Sequence, residues 1–526
     1  MAPEANIDSI LVLEKKIEEG LGDIIQLKRA RNSLLNISTR VPPELLGQVF
    51  CWNAIPVGEY GELEKGSYNF LLVCHHWFEV ASGTPELWTY WGNTLEQWRR
   101  RYQRSRTAPL DLVLRTNHTM NPILFDGPLR DAVRARVACN SIRSILLGGT
   151  GRELLQSVVA SLTLDGEDIQ DSSIESLIVE GGFVNISPFL VRYRFPRLRT
   201  LSLYSRGTSS WDHLKIQATS LTTLSLWTIG SPTRITRYQF ISTLSSYPNL
   251  QDLSLRKVVF PEDIGDGSTS RVPLHQLKKL LLMGLGEEVI SLLDWLEHPD
   301  KMDSVYLDVS ECVGEGVSEF FEQYLRDRIR RDDRFRNRLG IQLSGGTGFI
   351  SFRVCALGQL DALPMRPGHG YPSVSFAVGF RGGFPQGGTE RLCTNLLTVV
   401  PRERVVEFTW GPDWDVMKEI DVPVTMESVE NLYLLRPMIS GTFLRPDRLS
   451  LTKRLPSLRH LYLDRPTLRN DDDWRPLIAY LTHQTSGGQA ISLVLRRRRP
   501  PVPLEVVREI EGLVDEFDLR YFGDDR

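Results

Sequence analysis

The segment Leu221-Thr-Thr-Leu224-Ser-Leu226 decides the fold, because its apolar residues occupy the first, fourth and sixth of six positions. Successive side chains of a β-strand point to opposite faces, so the fourth and sixth residues would point inward together. The residue between them, Ser225, would then face outward. A strand that is apolar on one face needs a second layer to cover that face.

The same pattern returns along most of the chain. Clear copies begin at residues 142, 174, 198, 221, 250, 277, 302, 405, 429 and 458, and weaker copies at 109, 338, 371 and 490. Starts at 198, 221, 250, 277 and 302 lie 23, 29, 27 and 25 residues apart. This spacing and pattern are typical of leucine-rich repeats, in which a short strand is followed by a returning segment that covers it. No single repeat buries its own core, so the pattern predicts one cooperative array.

The outward positions of the predicted strands form a candidate capture surface. In a curved array of this kind the strands line the concave face, where the residue between the two inward apolar residues faces a partner. The substrate-binding residues predicted on this basis are Ser202, Ser225, Ser254, Tyr306, Tyr433 and Tyr462.

Residues 7–30 carry apolar side chains at helical spacing. Ile10, Ile17 and Ile24 recur every seven residues, and Leu13 and Leu27 follow three residues after two of them. This pattern predicts an amphipathic helix. Gly20 interrupts this row of apolar residues, and the row spans two and a half heptads, which is fewer than a coiled coil ordinarily needs. Packing of the helix on the next domain is therefore the favoured interpretation, and self-association is the alternative.

Residues 41–52 predict the next helix. Two prolines can open a helix because its first N–H groups have no intrahelical partner, and Glu44 in the first turn is favoured by the helix dipole. Leu45, Leu46, Val49 and Phe50 then form one broad apolar face.

A second helical pattern follows a glycine-containing connection at residues 56–67. It runs from Tyr68 to Ala81. Its apolar side is formed by Phe70, Val73, Cys74, Trp77 and Ala81. The segment 84–88, Thr-Pro-Glu-Leu-Trp, closes the unit with a turn and a large aromatic residue.

Three pieces in this order resemble an F-box. They are Val-Pro-Pro-Glu-Leu-Leu at 41–46, Val-Cys-His-His-Trp at 73–77 and Pro-Glu-Leu-Trp at 85–88. The family usually has Leu where this chain has Val41, and Arg or Lys where it has His75. With the preceding helix and the degenerate repeats, the chain is similar to the large F-box expansions of mushroom-type fungi. The expected architecture is α/β: an N-terminal helix (1–35), a three-helix F-box (36–92) and an irregular leucine-rich-repeat solenoid, or horseshoe (93–526).

The resemblance implies a function. F-box domains dock the small adaptor subunit of SCF-type ubiquitin ligases, and through it a cullin, while the downstream domain captures the substrate protein. Spacing alone leaves open which residues of the module are core and which are interface. The residues that the resemblance assigns to adaptor binding are Val41, Pro42, Pro43, Leu45, Leu46, Val49, Phe50, Val73, Cys74, Trp77, Leu87 and Trp88. A protein-binding scaffold that acts outside the ligase is the alternative function.

Composition excludes several other classes. Of the 526 residues, 41% are hydrophobic and 24% charged, and Lys plus Arg (62) nearly balances Asp plus Glu (65). The balance argues against a nucleic-acid or membrane-surface protein. Six scattered cysteines do not make a secreted disulfide framework. With no signal-peptide pattern and no long apolar run, the sequence predicts a cytoplasmic or nuclear protein without a membrane span.

No catalytic, metal or cofactor site is expected. The spacing of Cys74, His75 and His76 matches no zinc module. The two adjacent histidines of a helix would also point about 100° apart, so they do not easily share an ion. The glycine-rich segments 148–151 and 345–348 lack the Gly-Lys-Ser/Thr ending of a phosphate loop. The arginine runs at 99–106 and 496–499 are interpreted as solvated surface, with a phosphate-bearing ligand as the alternative for the first run and an acidic partner for the second. The mixed charge at 326–338 is interpreted as a solvated helix. An enzyme hidden in the repeats is the remaining, weakest alternative.

Overall fold

The computed structural model describes most of the chain, in two compact units. The first comprises residues 1–201 with 216–218, and the second comprises 202–215 with 219–526. The described residues are 4–35, 41–54, 68–90, 98, 101–116, 127–149, 152–163, 170–180, 186–205, 216–228, 236–257, 271–310, 315–346, 349–357, 375–381, 388–412, 425–435, 455–464, 466, 474–488, 490–497 and 502–521. The predicted connection at 56–67, the end of the arginine run at 496–499 and the start of the repeat copy at 371 lie outside them.

The first unit begins with helices and continues with parallel strands. Its helices are α1 (Glu4–Leu35), α2 (Pro43–Asn53), α3 (His75–Gly83), α4 (Gly127–Ala138), α5 (Arg152–Leu162) and α6 (Ser187–Arg192), with 3-10 turns at Asn69–Leu72 and Pro85–Trp88. Its strands are β1 (Leu110–Thr116), β2 (Ile142–Gly149), β3 (Gln170–Asp171), β4 (Ser176–Val179) and β5 (Tyr193–Arg194), and β6 (Thr200–Ser205) starts in this unit and continues into the second. Strands β1, β2 and β4 pair in parallel, as do β3 and β5.

The second unit alternates strands with covering helices. Its strands are β7 (Thr223–Thr228), β8 (Asp252–Arg256), β9 (Val272–Pro273), β10 (Lys279–Leu285), β11 (Leu296–Glu297), β12 (Ser304–Ser310), β13 (Leu339–Gly346), β14 (Phe349–Ala356), β15 (Ser375–Arg381), β16 (Val405–Pro412), β17 (Asn431–Leu435), β18 (His460–Asp464), β19 (Ser492–Arg497) and β20 (Glu516–Tyr521). Its helices are α7 (Arg237–Leu244), α8 (Gly286–Trp295), α9 (Glu315–Arg331), α10 (Gly388–Val399), α11 (Arg475–Ser486) and α12 (Leu504–Glu511), with 3-10 turns at Asp333–Arg336 and Arg402–Arg404.

The repeat pattern marks strands, as predicted, and the fold class is α/β. In β8 the burial alternates, with Leu253 and Leu255 about 1% exposed and Ser254 between them only half-buried. The neighbouring strands pair in register, so that Leu253 lies opposite both Leu224 of β7 and Leu280 of β10. Buried residues of adjacent strands therefore lie side by side. The apolar face is therefore continuous across these strands, and the returning helices bury their own apolar stripes on it.

Among the described strands of the second unit, the order in the large sheet departs from chain order at β13, β14 and β15. Strand β12 pairs in parallel with β15, and β14 then lies antiparallel between β15 and β13, which pairs in parallel with β16. The six-residue pattern alone does not decide whether residues 344–400 hold true repeats or an inserted loop. The described part of that stretch holds both a repeat-like strand, β15, and the extra antiparallel strand β14. Residues 349–354 of β14, Phe-Ile-Ser-Phe-Arg-Val, also fit the six-residue pattern, so the pattern alone does not distinguish this antiparallel hairpin partner of β13 from a repeat strand.

Three further predictions need correction. The single helix expected from Tyr68 to Ala81 is a 3-10 turn followed by α3, because Cys74 adopts an extended conformation with φ −160° and ψ 168°. The segment 326–338 is not a solvated helix, since α9 ends at Arg331 and Arg328 and Asp332 are buried. Packing of α1 on the following residues is not seen: every residue from 12 to 31 is exposed.

Candidate binding surfaces

The core of the small helical module, residues 41–90, is built on stacked aromatic rings. Phe50 is 1% exposed. The centre of its ring lies 4.5 Å from the centre of the Phe70 ring, at an interplanar angle of 6°. The Trp77 ring packs on the same side chain at 5.1 Å. Offset or tilted ring pairs at these distances are favourable beyond the apolar area that they bury. Phe50 is therefore the centre of the core in this module.

Trp88 closes the other end of that core. Its indole Nε1 donates a hydrogen bond of 2.8 Å to the carbonyl oxygen of Ala81, which ties the second 3-10 turn to α3. The ring of Tyr68 stacks on Trp88 at 5.9 Å, and the guanidinium of Arg104 lies 4.5 Å from the Trp88 ring centre. A buried Trp ordinarily needs a partner for its N–H group, and the Ala81 carbonyl supplies one.

The arginine run at 99–106 is a solvated surface only in part, since Arg104 and Arg106 are exposed but Arg101 is buried. Arg101 is 8% exposed, donates a hydrogen bond to the Tyr90 carbonyl oxygen and lies 4.8 Å from the centre of the Tyr68 ring. Burial lowers the pKa of its guanidinium from the ordinary value, although the neighbouring Tyr68 opposes the shift. Arg104 covers Trp88, as described above. Residues 99 and 100 lie outside the described residues.

The predicted adaptor-facing residues divide into three groups by exposure. Four are buried in the chain's own core: Leu46, Phe50, Leu87 and Trp88. Three are half-buried at its edge: Val41, Cys74 and Trp77. Five are exposed: Pro42, Pro43, Leu45, Val49 and Val73. The exposed group alone is available at the surface without rearrangement of the core.

Further exposed apolar residues of the module were not among the predicted site residues. Trp52 is 69% exposed and lies seven residues after Leu45 on α2, so that Leu45, Val49 and Trp52 share one face of the helix. The helical spacing of Trp52 was the signal that could have identified it. We call the exposed apolar side chains of the module the module patch, which comprises Leu45, Val49, Trp52, Leu72, Val73 and Phe78.

On the first strands, the outward face of the sheet is apolar and covered. Val113 of β1 lies beside Leu146 of β2, which lies beside Ile178 of β4. Tyr90 packs on this row, and Val113 and Leu146 are less than a tenth exposed as a result. These strands therefore offer no open outward face at their centre.

The six predicted substrate-binding residues lie at the outward strand positions. Ser225 lies directly beside Ser254 on the neighbouring strand, and Tyr433 directly beside Tyr462. The two tyrosine rings stack at 4.2 Å with an interplanar angle of 13°, and this contact leaves Tyr433 only 6% exposed. The other five predicted residues, Ser202, Ser225, Ser254, Tyr306 and Tyr462, are of intermediate exposure.

A second outward row, two residues further along the strands, contains residues that the sequence pattern missed. The ring centres of Tyr204 and Trp227 lie 4.2 Å apart at an interplanar angle of 78°, and the guanidinium of Arg256 lies 4.7 Å from the centre of the Trp227 ring. All three side chains are only half-buried. Aromatic and arginine side chains are enriched where proteins bind one another. Each of these residues lies two positions after an outward serine, and this spacing could have identified them from the sequence.

An ion pair borders Tyr306 on the same face. Arg381 Nε donates to Asp308 Oδ1 at 2.9 Å, and Arg381 Nη2 donates to Asp308 Oδ2 at 2.7 Å. Asp308 is 2% exposed, so the two-point contact supplies hydrogen bonds that water cannot. Burial raises the pKa of the Tyr306 hydroxyl, and the adjacent Asp308 carboxylate raises it further. Tyr306 therefore presents a neutral hydroxyl at physiological pH.

The described residues contain no cluster of three or more His, Cys, Asp or Glu side chains arranged to hold a metal ion. Among the helices of the described ranges, none combines the length and apolarity that a membrane crossing requires.

The hydrogen bonds to Asp308 raise the pKa of Arg381, so this guanidinium stays charged beside the neutral Tyr306 hydroxyl. This arrangement suits recognition of a surface by aromatic, hydroxyl and ionic groups.

No protein-family model matches the chain, and a search of curated proteins finds no match for it.

Proposed function

We propose that the chain is the substrate-recognition subunit of an SCF-type ubiquitin ligase, with residues 41–90 as an F-box that docks the adaptor. The observation that carries this proposal is the module patch. Leu45, Val49 and Val73 are between 41% and 57% exposed, although they lie within or directly beside the segments that resemble an F-box. Large apolar side chains that are exposed together on one small module are typical of a binding surface.

The second part of the proposal concerns the strands. Parallel strands in register, with one buried apolar row and covering helices, support a leucine-rich-repeat solenoid that is irregular at β14. Its outward face would capture the target protein, through the five predicted residues of intermediate exposure together with Tyr204, Trp227 and Arg256. The near-balanced charge of the chain supports a protein target over a nucleic acid.

The proposed mechanism is tethering and needs no catalytic residue in this chain. One surface holds the adaptor and through it the cullin, and the other holds the target. Holding two reactants on one scaffold raises their effective concentration to the millimolar range for short connections, which accelerates transfer without new chemistry.

The test is binding of the purified full-length chain to a fungal SCF adaptor. Replacing Leu45, Val49 and Val73 together with Ala should lower adaptor affinity by at least about 100-fold, since each truncated anchor costs roughly 1 kcal/mol or more. All three side chains are exposed, so the variant should keep its helicity. A triple variant at Pro42, Leu45 and Leu46 would be a poorer probe, because Leu46 is 4% exposed and its truncation would disturb the core.

The matched control truncates an apolar residue of similar exposure elsewhere. Val191 on α6 is 62% exposed, so Val191→Ala should leave adaptor affinity within about two-fold of wild type. Stoichiometric binding that the triple variant loses and the control keeps would support the ligase role. Failure of the folded wild-type chain to bind the adaptor would refute it and favour the scaffold that acts outside the ubiquitin ligase.

A further inference from the structure

Helix α1 exposes a stripe of large apolar side chains. Residues 12–31 are exposed throughout, and Leu13, Ile17, Ile24 and Leu27 are between 49% and 70% exposed. Most helical stability in proteins comes from packing of an apolar face and not from helix propensity alone, and α1 carries two glycines in its middle. A helix with this stripe is therefore expected to gain its stability from a partner that covers the stripe.

The stripe follows a heptad pattern, which determines what each residue would meet in a partner. Ile17 and Ile24 occupy a positions, and Leu13, Gly20 and Leu27 occupy d positions. In a parallel pair of identical helices Gly20 would face Gly20 of the second copy and leave a gap. In an antiparallel pair each a residue faces a d residue, so that Ile17 can lie opposite Gly20 and Leu13 opposite Ile24. A Cβ atom built on Gly20 meets nothing within 4 Å, so the space that Ile17 would fill is open in the single chain.

The flanking charges are complementary in this same register. Lys16 and Asp23 occupy g positions, and antiparallel helices bring g residues opposite g residues. When Ile17 lies opposite Gly20, Lys16 lies beside Asp23 of the second copy, and the two-fold symmetry forms this pair twice. A parallel pair would instead bring Asp23 beside Lys28, which occupies an e position, and would set Lys16 beside Leu21. Each orientation therefore couples Asp23 to a different lysine.

We propose that α1 is a self-association helix, which pairs in antiparallel orientation with α1 of a second copy of this chain. Filling of the Gly20 gap favours this orientation over the parallel one. The composition of the helix does not suit an anionic membrane surface, because its acidic and basic residues nearly balance. Its acidic residues are Glu4, Asp8, Glu14, Glu18, Glu19 and Asp23, and its basic residues are Lys15, Lys16, Lys28, Arg29 and Arg31. The pairing is independent of the ligase role.

Charge exchange in the full-length chain tests both the pairing and its orientation. Lys16→Glu should weaken dimerisation by about ten-fold, because two attractive contacts become repulsive, and Asp23→Lys should do the same. The double variant Lys16→Glu with Asp23→Lys should recover to within about three-fold of wild type, since both pairs are restored with the signs exchanged. An equimolar mixture of the two single variants should form heterodimers. Sedimentation across a concentration series measures each constant.

Two control variants change charge outside the proposed contacts. Lys15→Glu alters the neighbouring residue at the outermost f position, and Lys28→Glu alters the residue that only a parallel pair would use. Both should leave dimerisation within about two-fold of wild type. A monomeric wild type would overturn the proposal, whether or not it binds anionic vesicles or contacts its own downstream residues. Equal effects of Lys15→Glu and Lys16→Glu would overturn it as well.

A different set of results would indicate that the two helices pair in parallel. In a parallel pair, Lys28→Glu would weaken dimerisation by placing a carboxylate beside Asp23, and Lys16→Glu would have little effect. The double variant at Lys16 and Asp23 would then stay as weak as Asp23→Lys alone, because the lysine introduced at position 23 would face Lys28. That combination of results would refute the antiparallel arrangement.

Discussion

Phe50→Ala is expected to destabilise the helical module by about 3–5 kcal/mol, the range for removing a buried aromatic ring from a well-packed core. Phe50 is 1% exposed and contacts the rings of Phe70 and Trp77 at 4.5 and 5.1 Å. The module is short, so few other contacts compensate for the lost ring. Hydrogen exchange of amides in α2 and α3, measured in the full-length chain, reports the local free energy of opening.

Leu45→Ala provides the matched comparison within the same helix. Leu45 is 51% exposed, and we expect its truncation to change the opening free energy by less than about 1 kcal/mol. The two variants therefore separate folding from binding: Phe50→Ala loses adaptor binding through loss of structure, whereas Leu45→Ala weakens it with structure intact. Equal loss of protection in both variants would contradict the assignment of Phe50 to the core and Leu45 to the surface.

Asp332→Ala is expected to destabilise the second unit by about 3–5 kcal/mol, the range for removing one partner of a buried ion pair. Asp332 is fully buried and accepts hydrogen bonds from Arg334 Nε at 2.9 Å and Arg334 Nη2 at 2.8 Å. Arg328 Nη2 lies 3.9 Å from Asp332 Oδ2, and the Arg328 side chain is 5% exposed. Truncation of Asp332 would leave this guanidinium buried with the carbonyl oxygens of Pro299 and Met302 as its acceptors. Urea unfolding of the full-length chain measures the effect.

The adjacent carboxylate is the control for charge and position. Asp333 is 54% exposed and pairs with Lys301 at 3.7 Å and Arg336 at 2.8 Å, so Asp333→Ala should cost less than about 1 kcal/mol. If Asp333→Ala lowered the free energy of unfolding as much as Asp332→Ala, the loss of stability would come from negative charge at the end of α9 and not from the buried hydrogen-bond network.

The Asp332 carboxylate also makes the unfolding free energy of the second unit depend on pH. Burial alone would raise the pKa of Asp332, but hydrogen bonds from Arg334 and the charges of Arg334 and Arg328 outweigh it and lower the pKa below its ordinary value. A carboxyl whose pKa is lower in the folded state stabilises that state above its unfolded pKa. This contribution is lost as the pH falls from about 4 through the lower folded value. In Asp332→Ala, that part of the pH dependence of the unfolding free energy should be absent.

The strands follow from the sequence because their signal is local. The alternation of inward and outward residues is a property of the extended backbone, so a pattern such as residues 221–226 predicts both the strand and its buried side. The start of α2 at Pro43 follows from the two prolines and Glu44 for an equally local reason. The outward positions of the six predicted substrate-binding residues are a further consequence of alternation alone.

The division of the module into core and surface could not be predicted. Leu45 and Leu46 are adjacent and chemically identical, yet one is 51% exposed and the other 4%. Which of them is buried depends on how α2 is rotated against Phe70 and α3, and that rotation arises from contacts between residues that are distant in the sequence. Trp52 and the exposed face of α1 are further examples, since an apolar residue at helical spacing has the same sequence signal whether or not a neighbour covers it.

By itself, the sequence determined the α/β class, the repeat strands with their inward residues and the helix start at Pro42-Pro43-Glu44, because each depends on backbone geometry within a few residues. Only the tertiary structure decided that β14 enters between β13 and β15, that Arg328 and Asp332 are buried, and that Arg101 and Arg104 lie on Tyr68 and Trp88. These features depend on which distant segments meet. A charged or apolar side chain is buried or exposed according to the partner that the fold brings to it.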